Sequence, residues 1–367
     1  MSRDRPSSWM EDTLPSDAAS AVNAGARLSD PVHPFDVPAL ASYMRREVGP
    51  FAGPLSVAQF QGGQSNPTYR VRAGDRHYVL RRKPPGKLLP SAHAIEREYR
   101  VMAALAATGV PVPRMLALCE NESVIGTPFY VMEHVAGRVF WDPRLLQIER
   151  PARAAYHDEM NRVLAALHTV DHEAAGLAGY GRTGGYIARQ VSRWSKQYQA
   201  AGVERIPAMD RLIEWLPLHL PPGDETAIVH GDFRLDNAIF HPSEPRVLAI
   251  LDWELSTLGH PLSDFAYHAM TWRLSPEEFR GLRGADLDAL GIPTEAEYVA
   301  AYCRRTGRDH IPHWEFYLIF NMFRIAAILH GVLARALQGN AASDDALMTG
   351  ARARTVASVA WAMAETE

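Results

Sequence analysis

The chain has 367 residues and a formal net charge of -4, with 47% hydrophobic and 22% charged residues. That length and balance suit a globular protein with a large core or two lobes, and they give no electrostatic footprint for a nucleic-acid partner. The two cysteines, Cys119 and Cys303, are too far apart in sequence for a disulfide framework, a zinc spacing or a redox pair, and they fit a reducing cytoplasm.

Residues 1–30 are rich in Ser, Pro, Asp and Ala without periodicity and read as a tail. Met1 to Glu11 holds no apolar run, so no targeting segment is expected and the expected location is cytoplasmic. Residues 31–135 read as a strand-rich first unit. Phe60 opens a glycine-bearing turn, Gln61-Gly62-Gly63-Gln64-Ser65-Asn66, followed by a strand over Thr68–Arg72 and a second over His77–Arg82. Glycine removes side-chain bulk, so backbone amides around Gly62, Gly63, Ser65 and Asn66 can approach an anion. The spacing of Ile95, Tyr99, Met102 and Leu105 predicts a helix over 91–107, which Gly109, Pro111 and Pro113 end. Glu98 lies near that apolar side, which points it inwards. A further hairpin is predicted over Met115–Met132.

From 136 to 367 the pattern is mainly helical. Tyr156, Met160, Val163, Leu164 and Leu167 predict a helix over Ala152–Leu167. A compact strand–loop–strand region covers Ala227–Glu254, with its turn at Pro242 to Pro245. Helical patterns resume from Pro261. The most apolar stretch, Trp314–Leu337, is interrupted by Glu315, Asn321, Arg324, His330 and Arg335, so it reads as a buried core helix and not as a membrane span. A strand-rich third joined to a helix-rich remainder predicts an α+β fold of two lobes with a cleft between them.

The chemistry concentrates in His230-Gly231-Asp232-Phe233-Arg234-Leu235-Asp236-Asn237, with Asp252 closing the apolar strand that follows. Phosphoryl transfer needs a carboxylate to orient the acceptor hydroxyl and oxygen ligands to hold magnesium against phosphates. Asp232 and Asn237 on one tight loop can face a common point, and Asp252 can reach the same metal. Any one of Asp232, Asp236 or Asn237 alone reads as a turn residue; the ordered set is what points to a kinase. His93, His168, His260, His268 and His330 show no metal-ligand spacing. Ser65 and Ser263 lack the surroundings of a nucleophile elbow.

This segment resembles the catalytic loop and metal-binding strand of the aminoglycoside phosphotransferase superfamily, which includes choline kinase and is related to protein kinases. The resemblance implies a two-lobed protein-kinase-like fold, with a small antiparallel-sheet N-lobe carrying one helix and a larger, mainly helical C-lobe. It implies ATP and magnesium, with Asp232 as catalytic base, Asn237 and Asp252 as magnesium ligands, His230 shaping the loop and Asp264 bracing it. It also implies phosphate contacts from Gly62, Gly63, Ser65 and Asn66, although the family's three spaced glycines are not reproduced. Arg81 stands where many kinases have lysine, and its partner is Glu98; an arginine fork can hold both a carboxylate and phosphates. Glu133 and Val135 match the segment that pairs with the adenine edge.

Several longer stretches narrow the resemblance: Gly62 to Tyr69, Leu80 to Gly86, Ser91 to Tyr99, His313 to Tyr317 and Phe323 to Ile328. Together, over about residues 30–345, they resemble the phosphotransferase domain fused to, or encoded beside, acyl-CoA dehydrogenases. That implies a (4-)hydroxyacyl-CoA as acceptor and a functional link to an acyl-CoA dehydrogenase and β-oxidation. Phe316, Tyr317, Phe320 and Phe323 then either line an acyl pocket or belong to the core, with Phe320, Phe323 and Arg324 as the substrate candidates. Arg82, Lys83 and Lys87 either meet the anionic groups of CoA or stay solvated. Two alternatives remain open: a kinase of an amino alcohol, sugar or aminoglycoside, and a non-catalytic module that binds nucleotide or acyl-CoA. Neither nucleic acid nor membrane is expected as a partner.

Overall fold

The computed structural model describes residues 28–61, 66–86, 93–338 and 346–367. Its first part is an antiparallel sheet of six strands: β1 (Leu28–Ser29), β2 (Leu55–Phe60), β3 (Thr68–Ala73), β4 (Arg76–Arg82), β5 (Met115–Cys119) and β6 (Phe129–Glu133). The spatial order is β1-β2-β3-β4-β6-β5. Alternation along each strand decides what each face covers. Leu80, Phe129 and Val131 face one side with Tyr69 and Val71, and are covered by helix α1 (Val37–Glu47) through Leu40, Tyr43 and Met44. Val79, Tyr130 and Met132 face the other side, towards helix α2 (Ile95–Leu105) and the rest of the molecule.

The first unit thus carries two helices where the resemblance implies one. The additional α1 is short, begins at the Asp36 cap, whose carboxylate accepts from Ala39 N at 2.8 Å, and has Pro38 in its first turn. Strand β1 pairs with Phe60 and Gln59, so the end of the stretch read as a tail belongs to the sheet. Strands β3 and β4 pair Tyr69 with Leu80 and Thr68 with Arg81, which is the hairpin read from the sequence.

The remainder is mainly helical. Helices α3 (Arg150–His168), α4 (Tyr186–Gln199) and α5 (Pro207–Leu218) precede four short strands: β7 (Ala227–Val229), β8 (Ala238–Phe240), β9 (Val247–Ile250) and β10 (Thr257–Gly259). Strand β8 pairs with β9, and β7 with β10, both antiparallel. Helices α6 (Pro261–Ala269), α7 (Pro276–Phe279), α8 (Leu287–Leu290), α9 (Glu295–Thr306), α10 (Trp314–Leu337) and α11 (Ala346–Ala364) follow.

Helix α10 is the centre of this lobe. Among the described residues it is the one helix long and apolar enough to cross a membrane, yet most of it lies inside the protein. Its buried Asn321, Arg324 and His330 each have at least one hydrogen-bond partner. The Asn321 amide donates to Ser263 O and Tyr317 O, Arg324 to Gly231 O, and the His330 ring meets Glu204 O. Gly350 lets α11 close on α10: a Cβ there would lie 2.6 Å from Leu333.

Candidate active site

The loop after β7 is shaped before it can act. Gly231 has φ +81°, and a Cβ at this position would come within 2.8 Å of Leu255 O, so only glycine fits. Asp264, in the first turn of α6, grips the loop from behind. One carboxylate oxygen accepts from His230 N at 2.7 Å and the other from Gly231 N at 2.8 Å. Burial pushes the Asp264 carboxyl up, but the hydrogen bonds and charge of His168 and His230 hold it below the usual range. The His230 ring sits against Leu251 O at 2.8 Å, while its Nδ1 accepts from Asp232 N. Both residues therefore do the bracing and shaping that the resemblance implies.

Asp232 is held at both carboxylate oxygens. Oδ1 accepts from the Tyr267 hydroxyl at 2.5 Å and lies 3.1 Å from Arg234 Nε. Oδ2 accepts from Asn237 Nδ2 at 3.2 Å, and the same amide donates to Asp232 O at 2.9 Å. Burial and the charge of Asp232 push the Tyr267 hydroxyl far up, so it stays a donor. The Asn237 amide nitrogen is occupied on the loop, so the amide oxygen is the end suited to a cation.

Asp252 follows β9 in the left-handed region, at φ 64°. Its Oδ1 lies 3.2 Å from Arg81 Nη2, which also meets Glu254 Oε2 at 3.2 Å. From the opposite wall, Arg81 Nε reaches Glu98 Oε2 at 3.0 Å. Glu98 is buried and also accepts from the Tyr130 hydroxyl at 3.0 Å and from Asn66 Nδ2 at 2.9 Å. Burial pushes the Glu98 carboxyl up to about 7, against the pull of Arg81 and the Tyr130 hydrogen bond. Burial alone would lower the Arg81 guanidinium, yet Glu98 and the other negative groups hold it above its usual value.

These side chains suit magnesium and nucleotide phosphates. Magnesium keeps several waters and is held by one or two carboxylates together with phosphates. Asp252, about a third exposed, and the Asn237 amide oxygen form such a sparse donor set. Among the described residues no group of three His, Cys, Asp or Glu could cage a metal, so the remaining positions fall to phosphate oxygens and water. Arg81 stands beside them with a charge suited to a phosphate.

Asp232, Asn237, Asp252, Arg81 and Glu98 are thus brought together. Gly62, Gly63 and Ser65 lie outside the described residues. The Asn66 side-chain amide is spent on Glu98 and on His93 Nδ1, at 2.9 Å each, and so positions the carboxylate. Glu133 N donates to Arg114 O and its carboxylate accepts from Arg114 N; Val135 follows β6, partly buried.

The acyl-pocket expectation for α10 is corrected. Phe320 and Phe323 are fully enclosed in the hydrophobic core, because the stretch of α10 that carries them, residues 316–327, is buried on every face. Arg324 is also buried; it donates to Gly231 O and lies over the Tyr267 ring, so it holds the catalytic loop from below. Arg82 is no cleft residue either. Strand parity sends it to the α1 side, where it donates to His33 O and stacks on Phe35 and Tyr69. Lys83 pairs with Glu96 at 3.0 Å, and Lys87 lies outside the described residues.

Four participants escaped the sequence reading: Tyr267, Arg234, Glu254 and Tyr130. Tyr267 carried a signal, since a residue three after Asp264 shares its helix face. Tyr130 also carried one, through the β4–β6 pairing that sets it opposite Arg81.

Residues 56–316 match the family model described as Phosphotransferase enzyme family, APH. The chain is 52% identical over 333 residues to Acyl-CoA dehydrogenase family member 10 of Mus musculus, an alignment covering 90% of this chain and 31% of the mouse protein. It therefore spans less than a third of that relative. A crystal structure from Ralstonia eutropha JMP134, solved under the provisional name aminoglycoside phosphotransferase, superposes with a TM-score of 0.84 at 56% identity, covering 91% of this chain and 99% of the other. Spectinomycin phosphotransferase APH(9)-Ia, solved with ADP and spectinomycin, shares the fold with a TM-score of 0.60 at 12% identity, over 90% of this chain and 99% of the other.

Proposed function

The chain belongs to the phosphotransferase enzyme family, and from that premise we propose that it moves the γ-phosphate of ATP onto the hydroxyl of a hydroxyacyl-CoA. The observation that carries the kinase chemistry is the Asp232 carboxylate, pinned by Tyr267, Arg234 and Asn237 next to Asp252 and the Arg81–Glu98 pair.

Asp232 accepts the hydrogen of the acceptor hydroxyl and orients its oxygen in line with the γ-phosphorus. As the new O–P bond forms, the bond from phosphorus to the bridging oxygen breaks, and its electron pair leaves with ADP. The acceptor proton passes to Asp232. Asn237 and Asp252 would hold magnesium, which would supply charge stabilisation at the phosphate oxygens. Arg81 adds a fixed positive charge there, aligned by Glu98. Because the transition state is loose, positioning and charge stabilisation supply most of the rate. Tyr267 and Arg234 fit that demand, since they fix the direction of the Asp232 lone pairs.

The acceptor reading rests on the acyl-CoA dehydrogenase relative. Phosphorylating the hydroxyl turns it into a better leaving group, which a partner dehydrogenase can exploit. The test is magnesium-dependent transfer from ATP to 3-, 4- and 5-hydroxyacyl-CoAs, choline and an aminoglycoside, with product mass as the readout. Phosphorylated 4-hydroxyacyl-CoA that vanishes in Asp232→Asn is the expected result. Transfer only to choline or the aminoglycoside overturns the acceptor. Nucleotide binding with no transfer to any acceptor favours a binding module.

A further inference from the structure

Tyr180, in the loop between α3 and α4, is buried, and the phosphoryl chemistry makes no use of it. Its hydroxyl lies 2.7 Å from Ser256 Oγ and 3.3 Å from Arg97 O. Ser256 Oγ lies 2.5 Å from Trp253 O, a carbonyl oxygen that can only accept. The single serine hydrogen therefore goes to Trp253 O, and Tyr180 supplies the hydrogen between the two hydroxyls. Burial pushes the Tyr180 hydroxyl up, so it keeps that hydrogen. A directed relay, Tyr180 to Ser256 to Trp253 O, results. It ends on the 3₁₀ turn Trp253–Leu255, directly after Asp252. Asp252 sits at φ 64°, a conformation that a non-glycine residue keeps only where its surroundings fix it. Here the turn does so: Ser256 N also donates to Trp253 O, at 3.1 Å, and Trp253 Nε1 to Ile250 O, at 2.9 Å.

The same ring holds helix α2. The Arg97 guanidinium lies over it, 4.3 Å from the ring centroid, and donates to Ser256 O at 3.4 Å. The Arg100 guanidinium lies 5.9 Å from that centroid and donates to Gly176 O at 3.0 Å and Ala178 O at 3.2 Å, which ties the loop to the helix. The loop also presses against the strand that follows Ser256: a Cβ on Gly181 would lie 2.6 Å from Leu258 N. Beyond the end of α2, Pro111 O accepts from Ile250 N at 2.9 Å. Arg97 directly precedes Glu98, the partner of Arg81. One buried tyrosine therefore touches both the turn behind the proposed metal ligand and the helix that carries the counter-ion of the proposed phosphate cation.

We infer that Tyr180, Ser256 and Arg97 form a clasp that sets Asp252 and the Arg81–Glu98 pair in place relative to each other, so that magnesium and the nucleotide phosphates meet ligands already positioned. This rests on the kinase reading and adds positioning residues to its nucleotide site. Tyr180 and Ser256 act through the turn on Asp252, and Arg97 acts through α2 on Glu98. The two halves are separable, because the hydroxyl of Tyr180 serves the first and its ring serves the second.

The experiment is isothermal titration of the full chain with a non-hydrolysable ATP analogue, once with magnesium and once in EDTA, beside thermal melts. Tyr180→Phe keeps the ring under Arg97 and loses the relay. Loss of one hydrogen bond predicts an affinity about three- to tenfold weaker with magnesium, with the affinity in EDTA unmoved. Ser256→Ala cuts the same relay from its other end and should show the same loss, and the double variant should lose no more than either alone. Arg97→Ala releases the α2 half and should weaken binding in EDTA as well, with partial rescue in Arg97→Lys. A lower melting temperature in Tyr180→Phe and Ser256→Ala, with the gain from magnesium kept at its wild-type size, overturns the proposal: the clasp would then only stabilise the fold. Failure of the kinase reading is a separate result: magnesium then fails to tighten the analogue in the wild type itself, which overturns the metal site and the clasp together.

Discussion

Arg81 Nη2 and Asp252 Oδ1 meet at 3.2 Å, the first from the N-terminal sheet and the second from the loop after β9. The contact joins the two lobes and brings the proposed metal ligand beside the proposed phosphate cation. Strand parity produces it. Arg81 shares the Val79 face of β4, which looks towards α2 and the second lobe, while Leu80 and Arg82 look away.

Removing that guanidinium has two consequences. Arg81→Ala strands Glu98 in a buried position with hydroxyl and amide donors but no cation, and breaking a buried pair costs about 3–5 kcal/mol. A lower melting temperature and a raised ATP KM are therefore expected together. Arg81→Lys keeps the charge but loses the fork that reaches Glu98 on one side and Asp252 and Glu254 on the other. Its melting temperature should recover most of the loss while the ATP KM stays elevated. Thermal melts and initial-rate kinetics at varied ATP check both; wild-type ATP kinetics in Arg81→Ala would remove Arg81 from the phosphate site.

Asp232→Asn preserves the shape of the loop and removes the proton acceptor. A fall in kcat of about 10²- to 10⁴-fold is expected, with nucleotide affinity within twofold of wild type, about experimental error on the free-energy scale. Tyr267→Phe keeps the ring and loses one hydrogen bond to Oδ1; a smaller loss, about tenfold in kcat, should follow. Isothermal titration with nucleotide beside turnover assays separates the two effects. Full activity in Asp232→Asn would end the base assignment.

Much of this site was legible in the sequence because it is local. Asp232 and Asn237 sit on one loop, and Asp252 closes the strand paired with the one that leaves it. Glu98 could be placed inward because helix periodicity put it beside Ile95 and Met102. What the sequence hid depends on two elements meeting. That Asn66 turns to Glu98 and His93 follows from where α2 docks. That Arg82 faces His33 and Phe35 follows from α1, which the apolar spacing of Leu40, Tyr43 and Met44 was too short to announce. The aromatics of α10 looked like a pocket lining only because their covering, α6 and α11, lies elsewhere in the chain.

The catalytic loop should be as sensitive to its braces as to its reacting groups. Asp264→Ala leaves the His230 and Gly231 amides buried without an acceptor, at about 1–3 kcal/mol each. Gly231→Ala forces a Cβ against Leu255 O at a positive φ. Both variants should lose stability by several kcal/mol in urea melts, on the order of a fully buried network defect. Each should also lower kcat where protein remains folded, because the Asp232 backbone moves. Wild-type stability in Asp264→Ala would mean that the loop is held by other contacts.

Acid should unfold this protein through two imidazoles. His157 and His268 are buried, one bonded to Pro143 O and both beside Trp272, and burial lowers each from 6.5 to about 4. Their folded values lie below their unfolded values. Between pH 6.5 and 4 the unfolded chain therefore binds protons that the native state refuses, and the stability present above pH 6.5 is lost as pH falls. From pH 6.5 to 5 that amounts to about 2 kcal/mol per imidazole. Glu98 acts with the opposite sign. Burial raises it from 4.5 to about 7, so the native state binds the extra proton in that window and gains stability as pH falls through 7. One such group offsets roughly one imidazole, which leaves a net decline. Urea melts at pH 7.5, 6.5, 5.5 and 5 measure it, and His268→Gln should flatten the curve by about one group's share. A slope that does not change in that variant would show that the charging of His268 is not what acid acts on.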